Sequence, residues 1–198
     1  MKMFDYKNFD QYNKELVEVL KTVSNSSVDN LVNFLHKAYE ENRNIFIIGN
    51  GGSALNASHL AEDLAKGTSK GLAKYDMKTF KALSLTDNVG FITATANDDG
   101  YEHVFTNQLK TYATPIGDYL ICISGSGNSK NIIEAVKWAQ NFQMNVFALL
   151  GYDGGRVGGM LGDDKKIVVN SWDMGMVEAI HGIIFHYLIS KLYEVVNR

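Results

Sequence analysis

Two glycine-serine segments and two groups of histidines and carboxylates hold the residue types that could do chemistry. Gly49-Asn50-Gly51-Gly52-Ser53 and Ser124-Gly125-Ser126-Gly127-Asn128-Ser129 each follow a short apolar run and precede a helical pattern. Glycines let backbone N–H groups approach an anion closely, and a helix N-terminus adds positive partial charge. Serine hydroxyls add hydrogen bonds without adding charge. Neither segment ends in the Gly-Lys-Ser/Thr of a Walker A loop, and neither is the Gly-x-Gly-x-x-Gly dinucleotide fingerprint, so no nucleotide cofactor is expected. Taken singly, each is only a tight strand-to-helix turn. As a pair they predict one small-anion site.

The acid, base and ligand groups follow helical spacing. His59 and Asp63 are four apart and share a helix face about one turn below the first segment, with Glu62 three from His59. Taken alone, this is a solvated face with one histidine. Glu178 and His181 are three apart, and His186 lies about 80° round from Glu178. Two histidines among Ile180, Ile183, Ile184, Phe185 and Leu188 are unusual. A core histidine bonded to backbone explains one of them. The alternative is a proton-transfer set, or imidazole and carboxylate ligands for a metal. Zinc-type spacing is weak, with no His-Glu-x-x-His and no cysteine cluster. Asn97-Asp98-Asp99-Gly100 reads as a turn between two helices that could also offer polar groups to sugar hydroxyls.

The elements that must position these groups alternate. Apolar periodicity predicts two helices in the first 43 residues: Phe9, Tyr12, Leu16, Leu20 and Val23 in one, and Val28, Leu31, Val32, Leu35, Ala38 and Tyr39 in the other. Ser26 or Ser27 is the expected N-cap of the second. Continuous apolar runs at Ile45–Ile48, Ala82–Leu85, Tyr119–Ile123, Val146–Leu150 and Ile167–Val169 predict strands buried on both faces. Helices are expected near 53–66, 87–96, 101–112, 128–142, 154–161 and 174–196. The fold class is α/β: a doubly wound five-stranded parallel sheet with an N-terminal helical extension, divided at 1–43 and 44–198. In a 2-1-3-4-5 strand order, both glycine-serine loops face one switch-point crevice.

Composition narrows the partners. The 198 residues carry a formal net charge of −3, so no basic footprint for nucleic acid or an anionic membrane is expected. The one cysteine, Cys122, cannot form an internal disulfide, and no signal peptide or long apolar run is visible. A cytoplasmic protein is the expectation.

At these residues the sequence resembles the sugar isomerase (SIS) family, in its phosphoheptose isomerase branch. The resemblance rests on Gly49–Ser53, His59, Asn97-Asp98, Ser124–Ser129 and Glu178-x-x-His181-x-x-x-x-His186, in order and similarly spaced from about residue 8 onward. It implies the flavodoxin-like SIS fold, a homotetramer with N-terminal helices between subunits, and active sites at subunit contacts. It also implies conversion of sedoheptulose 7-phosphate to D-glycero-D-manno-heptose 7-phosphate, for surface or capsular polysaccharide.

By the same resemblance, Ser53, Ser124, Ser126 and Ser129 match phosphate and substrate contacts, and Asn97 and Asp98 match sugar contacts; Asn50, Gly51, Gly52 and Gly125 of the two loops complete the expected substrate-binding set. His59 and His186 match zinc-binding positions, and His186 also a proton-transfer residue. Two departures stand out: Asp63 occupies the position of a catalytic, metal-binding glutamate, and Glu178 that of a glutamine. The catalytic set is therefore read as His186 with Asp63 or Glu178, and the metal set as His59, Asp63, Glu178 and His186 around a zinc ion. The competing readings are a non-catalytic SIS module that senses a phosphosugar or aids assembly, and an isomerase of another phosphosugar.

Overall fold

The computed structural model describes residues 6–69, 78–114 and 116–197. Helix α1 spans Phe9–Lys21 and α2 spans Asn25–Glu40. Strands β1 (Asn44–Gly49), β2 (Lys81–Ser84), β3 (Tyr119–Ser124), β4 (Asn145–Gly151) and β5 (Lys166–Val169) form one sheet, parallel throughout, in the order β2-β1-β3-β4-β5. Between and after them lie α3 (Gly52–Glu62), α4 (Val89–Asp98), α5 (Thr106–Tyr112), α6 (Lys130–Asn141), α7 (Gly155–Met160) and α8 (Met174–Val196). All five expected strands and the expected strand order are present.

Successive strand residues point to opposite faces, and the sheet has a separate core on each. Ile45, Ile47, Tyr119, Ile121, Ile123, Phe147 and Leu149 meet Leu31 and Leu35 of α2, Leu60 of α3 and Ile180, Phe185 and Leu188 of α8. Phe46, Ile48, Leu120, Cys122, Val146, Ala148 and Leu150 meet Leu109 of α5, Ile132, Val136 and Ala139 of α6 and Val157 of α7. Truncating any of these leucines to alanine should cost about 2–5 kcal/mol. The expectation of burial on both faces holds for the central strands. It is corrected at β2, the edge strand, where Leu83 is 49% exposed because its face of the sheet is less covered there.

The two N-terminal helices differ in kind. Leu31, Leu35 and Ala38 place α2 in the core of the sheet, whereas α1 buries none of its residues. The expected boundary at 43/44 falls between α2 and β1. The Tyr6 hydroxyl donates to Asp173, 2.7 Å away, and Asp173 caps the start of α8. Helix α2 starts earlier than expected, with Ser24 rather than Ser26 or Ser27 at the N-cap position; the Ser24 side chain makes no capping hydrogen bond and its hydroxyl instead bonds that of Ser26 at 2.6 Å.

Three local readings are corrected. The helix expected over 53–66 widens after Glu62 into a π-turn, Asp63–Gly67, closed by Thr68 N–H to Asp63 C=O at 3.1 Å. Asn97 and Asp98 belong to the last turn of α4 rather than to a loop. The helix expected over 101–112 is a 3-10 turn, Tyr101–His103, followed by α5. Pattern alone did not foresee these breaks, because hydrophobic period does not register which carbonyl an N–H selects.

Candidate active site

The two glycine-serine loops occupy the carboxyl ends of adjacent strands β1 and β3. Gly51 has φ +56° and ψ −126°, a conformation side chains disfavour, and it turns the chain directly into α3. Ser53 is buried in the first turn of that helix. In the second loop, the Ser124 hydroxyl oxygen accepts from Gly127 N–H and that of Ser126 from Asn128 N–H, each at 3.2 Å. A Cβ on Gly127 would collide with the Gly154 carbonyl, so the β4–α7 loop braces this one from behind. Ser129 caps α6 through its backbone, and its side chain makes no capping hydrogen bond.

A side-chain bridge that the sequence did not signal ties the loops together. Asn50 and Asn131 exchange amide hydrogen bonds of 2.9 and 2.8 Å, and Tyr101 donates to Asn50 Oδ1 at 3.0 Å. Asn131 is fully buried in the first turn of α6. The Asn50 side chain thus serves the pocket's frame. Tyr101 brings the end of α4, with exposed Asn97 and Asp98, to the same side of the sheet; Asn97 Nδ2 donates to Asp98 Oδ1 at 2.7 Å. An asparagine two positions into a loop-following helix was the one available signal for Asn131, and it is a weak one.

Helix α8 lies along α3 and supplies the remaining groups. Its Met174 covers Gly125, and its Glu178 carboxylate covers Gly52 so closely that a Cβ there would collide with it. Asn56 of α3 donates to the Glu178 carbonyl at 3.2 Å. Loss of water around Glu178 raises its pKa above the ordinary carboxylate value. Further along, His59 Nε2 stands 3.2 Å from Asp63 Oδ2, and the His59 and His186 rings meet edge-on with centroids 5.1 Å apart.

Each of His59, Asp63 and His186 can offer one ligand atom, all within 4.8 Å of one another. Two imidazole nitrogens and a carboxylate oxygen with an open side suit zinc or a similar divalent ion. The expected fourth ligand, Glu178, is not part of this cluster. Eight residues of α8 separate it from His186, about 12 Å of helix rise, and its side chain is held at the first loop. For the same reason Asp63, and not Glu178, is the carboxylate brought to His186.

His181 faces away from this cluster into the core. Its Nε2 lies 3.2 Å from the Leu150 carbonyl, and burial pushes its pKa from 6.5 down to about 4. The unfolded chain binds this proton near pH 6.5 and the folded one only near pH 4, so its stability contribution is full above pH 6.5 and is lost as pH falls towards 4. The loss should reach roughly 3 kcal/mol. Urea midpoints at pH 7 and pH 5 should therefore differ less in His181→Gln than in the parent; equal differences would exclude this role.

Residues 8–151 match the SIS domain family. The chain belongs to that family. The phosphoheptose isomerase of Helicobacter pylori (strain P12) is 36% identical over 175 residues, covering 88% of this chain and 85% of its own. Among solved structures, the phosphoheptose isomerase of Neisseria gonorrhoeae superposes with a TM-score of 0.82 at 28% identity, over 92% of this chain and 95% of that one. The Francisella tularensis enzyme gives 0.82 at 25% identity, over 96% and 98%. This SIS-domain chain is an isomerase of the phosphoheptose isomerase branch.

Proposed function

We propose that this SIS-domain enzyme isomerises sedoheptulose 7-phosphate to D-glycero-D-manno-heptose 7-phosphate, feeding heptose to surface or capsular polysaccharide. The observation that carries the reading is the His59–Asp63–His186 cluster, formed where His186 of α8 meets the helix that starts from the first glycine-serine loop. Backbone N–H groups of Gly51, Gly52 and Gly125 and the hydroxyls of Ser53, Ser124, Ser126 and Ser129 bind the phosphate. They need no cationic side chain, because two helix N-termini supply the positive potential. Asn97 and Asp98 bind sugar hydroxyls. Residues 44–198 form the phosphosugar-binding unit; of the 1–43 extension, α2 packs into that unit's core and α1 is the part left for assembly.

Moving the carbonyl from C2 to C1 requires removal of a proton beside it, a cis-enediol, and return of a proton to the neighbouring carbon. Asp63 or His186 takes the carbon-bound proton. The other exchanges protons with the two oxygens, so that no proton is gained or lost. Glu178, held against Gly52 of the first loop with its pKa raised by burial, offers the substrate a polar contact there. Phosphate binding energy holds the reacting end against the pair. Incubation with sedoheptulose 7-phosphate in deuterated water should give the aldose with deuterium at C2. Tight binding without exchange would identify a sensor instead.

His59, Asp63 and His186 would hold a zinc ion, which when bound supplies Lewis-acid polarisation of a carbonyl oxygen. Elemental analysis after mild purification should find close to one zinc per chain, falling to background in His59→Ala with Asp63→Ala. Metal retained by the double variant would locate it elsewhere.

Self-association goes with this reading. Phe9 of α1 is 76% exposed and Val17 42%. Beside α1, a groove of about 460 Å³ is lined by apolar residues that include Leu20, Val23, Ile183 and Tyr187, with polar Asn25 and Asp29 among them. A stripe of this kind is covered by a partner in most folds, and the partner here is another copy, in a tetramer. Sedimentation at micromolar concentration should give the tetramer; a sharp monomer boundary would refute it. A cytoplasmic location also goes with the reading. Cys122 is free and buried, its thiol pKa pushed up to about 12, and no helix among the described residues is long and apolar enough to cross a membrane.

A further inference from the structure

Helices α3 and α8 run side by side and meet at three levels. Gly52 lies against Glu178 at the top, the His59 ring meets His186 in the middle, and Thr68 meets Asn197 at the bottom. The lowest contact is made by neither helix proper. It depends on the π-turn that begins at Asp63, the carboxylate of the ion-binding cluster.

Thr68 is fully buried and holds this turn from three sides. Its N–H reaches past the usual helical acceptor to the Asp63 carbonyl at 3.1 Å. Its hydroxyl supplies the Leu64 carbonyl with the hydrogen bond that the wide turn withdraws, at 2.7 Å. Its own carbonyl accepts from Asn197 Nδ2 at 2.9 Å, and the same amide group bonds the Tyr193 carbonyl at 2.8 Å. Asn197 follows His186 by eleven residues, about three turns, so both face the same side of α8. Gly67 lies between them, where a Cβ would make ordinary contacts, 3.4 Å from Asp63 Oδ1 and 3.8 Å from Ile189. A π-turn inside a helix is uncommon and costs regular hydrogen bonds, and such turns collect at functional sites.

We propose that Thr68 and Asn197 form a latch that locks the Asp63–Gly67 π-turn against α8 and thereby positions the Asp63 carboxylate towards His59 and His186. The proposal rests on the reading of that cluster as the reaction and ion site. Thr68 and Asn197 are positioning residues, since neither touches the reacting atoms. Unlatched, the turn can relax to ordinary helix. That rotates everything after Asp63 by about one residue and loosens the carboxylate.

The test uses the full chain with Thr68→Val and Asn197→Ala. Turnover of sedoheptulose 7-phosphate is measured together with calorimetric binding of zinc ion alone to metal-stripped protein. Each variant should lose about tenfold in kcat and about tenfold in zinc affinity, with KM within about twofold, because the phosphate loops lie at the other end of α3. Thr68→Ser, which keeps the hydroxyl, should match the parent. Leu192→Ala, a core truncation in α8 that spares the latch, should lose stability but keep kcat and zinc affinity. Thr68→Val with the parent's kcat and zinc affinity would overturn the proposal. So would Leu192→Ala losing as much of both. If the parent binds zinc but does not isomerise, the functional reading fails while the zinc measurements still decide the latch. A parent that does neither sinks both.

Discussion

His186→Gln should lower kcat for sedoheptulose 7-phosphate by about 100-fold or more while changing substrate affinity little. Glutamine keeps a polar side chain of similar reach but cannot cycle a proton, and a positioned acid or base contributes roughly 10²–10⁴-fold. Asp63→Asn should fall by a comparable factor, because Asp63 is the carboxylate within reach of His186. Glu178→Gln should stay within several-fold of the parent in kcat, since Glu178 lies against the first loop, away from His59, Asp63 and His186, and the amide keeps a polar side chain of the same size there. The pH profile of kcat/KM in the parent should be bell-shaped, and one limb should disappear in His186→Gln. Steady-state kinetics of the three variants at several pH values checks the ordering. If Glu178→Gln loses most of the turnover while Asp63→Asn keeps it, the assignment of the base is reversed.

The double substitution Ser124→Ala with Ser126→Ala should weaken phosphosugar binding by about 10²–10⁴-fold. Each hydroxyl bonded to a charged group contributes roughly 1.5–3 kcal/mol, and a factor of ten is about 1.4 kcal/mol. Both oxygens accept from backbone N–H groups of their own loop, so each hydroxyl hydrogen remains to donate to a phosphate oxygen. Their removal also loosens the loop, which adds to the loss. Because Gly127 is braced by Gly154 and Asn128 by the Arg156 N–H at 3.1 Å, the fold itself should survive. Isothermal titration with a phosphosugar, alongside circular dichroism, measures both. Undiminished affinity in a folded double variant would move the anion to another place.

These two expectations draw on different amounts of sequence. The serine loops were legible from the start. Glycine and serine after an apolar run and before a helical pattern have few uses, and a parallel sheet with a switch point puts two such loops together. The five strands and the 23-residue span of α8 were legible for the same reason, because burial on both faces and helical periodicity are written directly in residue order. His59 and Asp63 were legible as a pair, being one helical turn apart.

What the sequence could not determine was how elements distant in order approach one another. His186 and Glu178 share a helix with the same local credentials, yet only His186 reaches His59 and Asp63. The difference is one of depth along α8, set by how that helix packs beside α3. The Asn50–Asn131 bridge spans 81 positions and exists because β1 and β3 are neighbours. The π-turn at Asp63 depends on a hydroxyl at Thr68 and an amide at Asn197, 129 positions apart. Sequence by itself determined the kinds of group and the local frames that carry them, because those depend on near neighbours along the chain. The tertiary structure decided which groups act together, because that depends on packing between helices whose relative position no short-range pattern encodes.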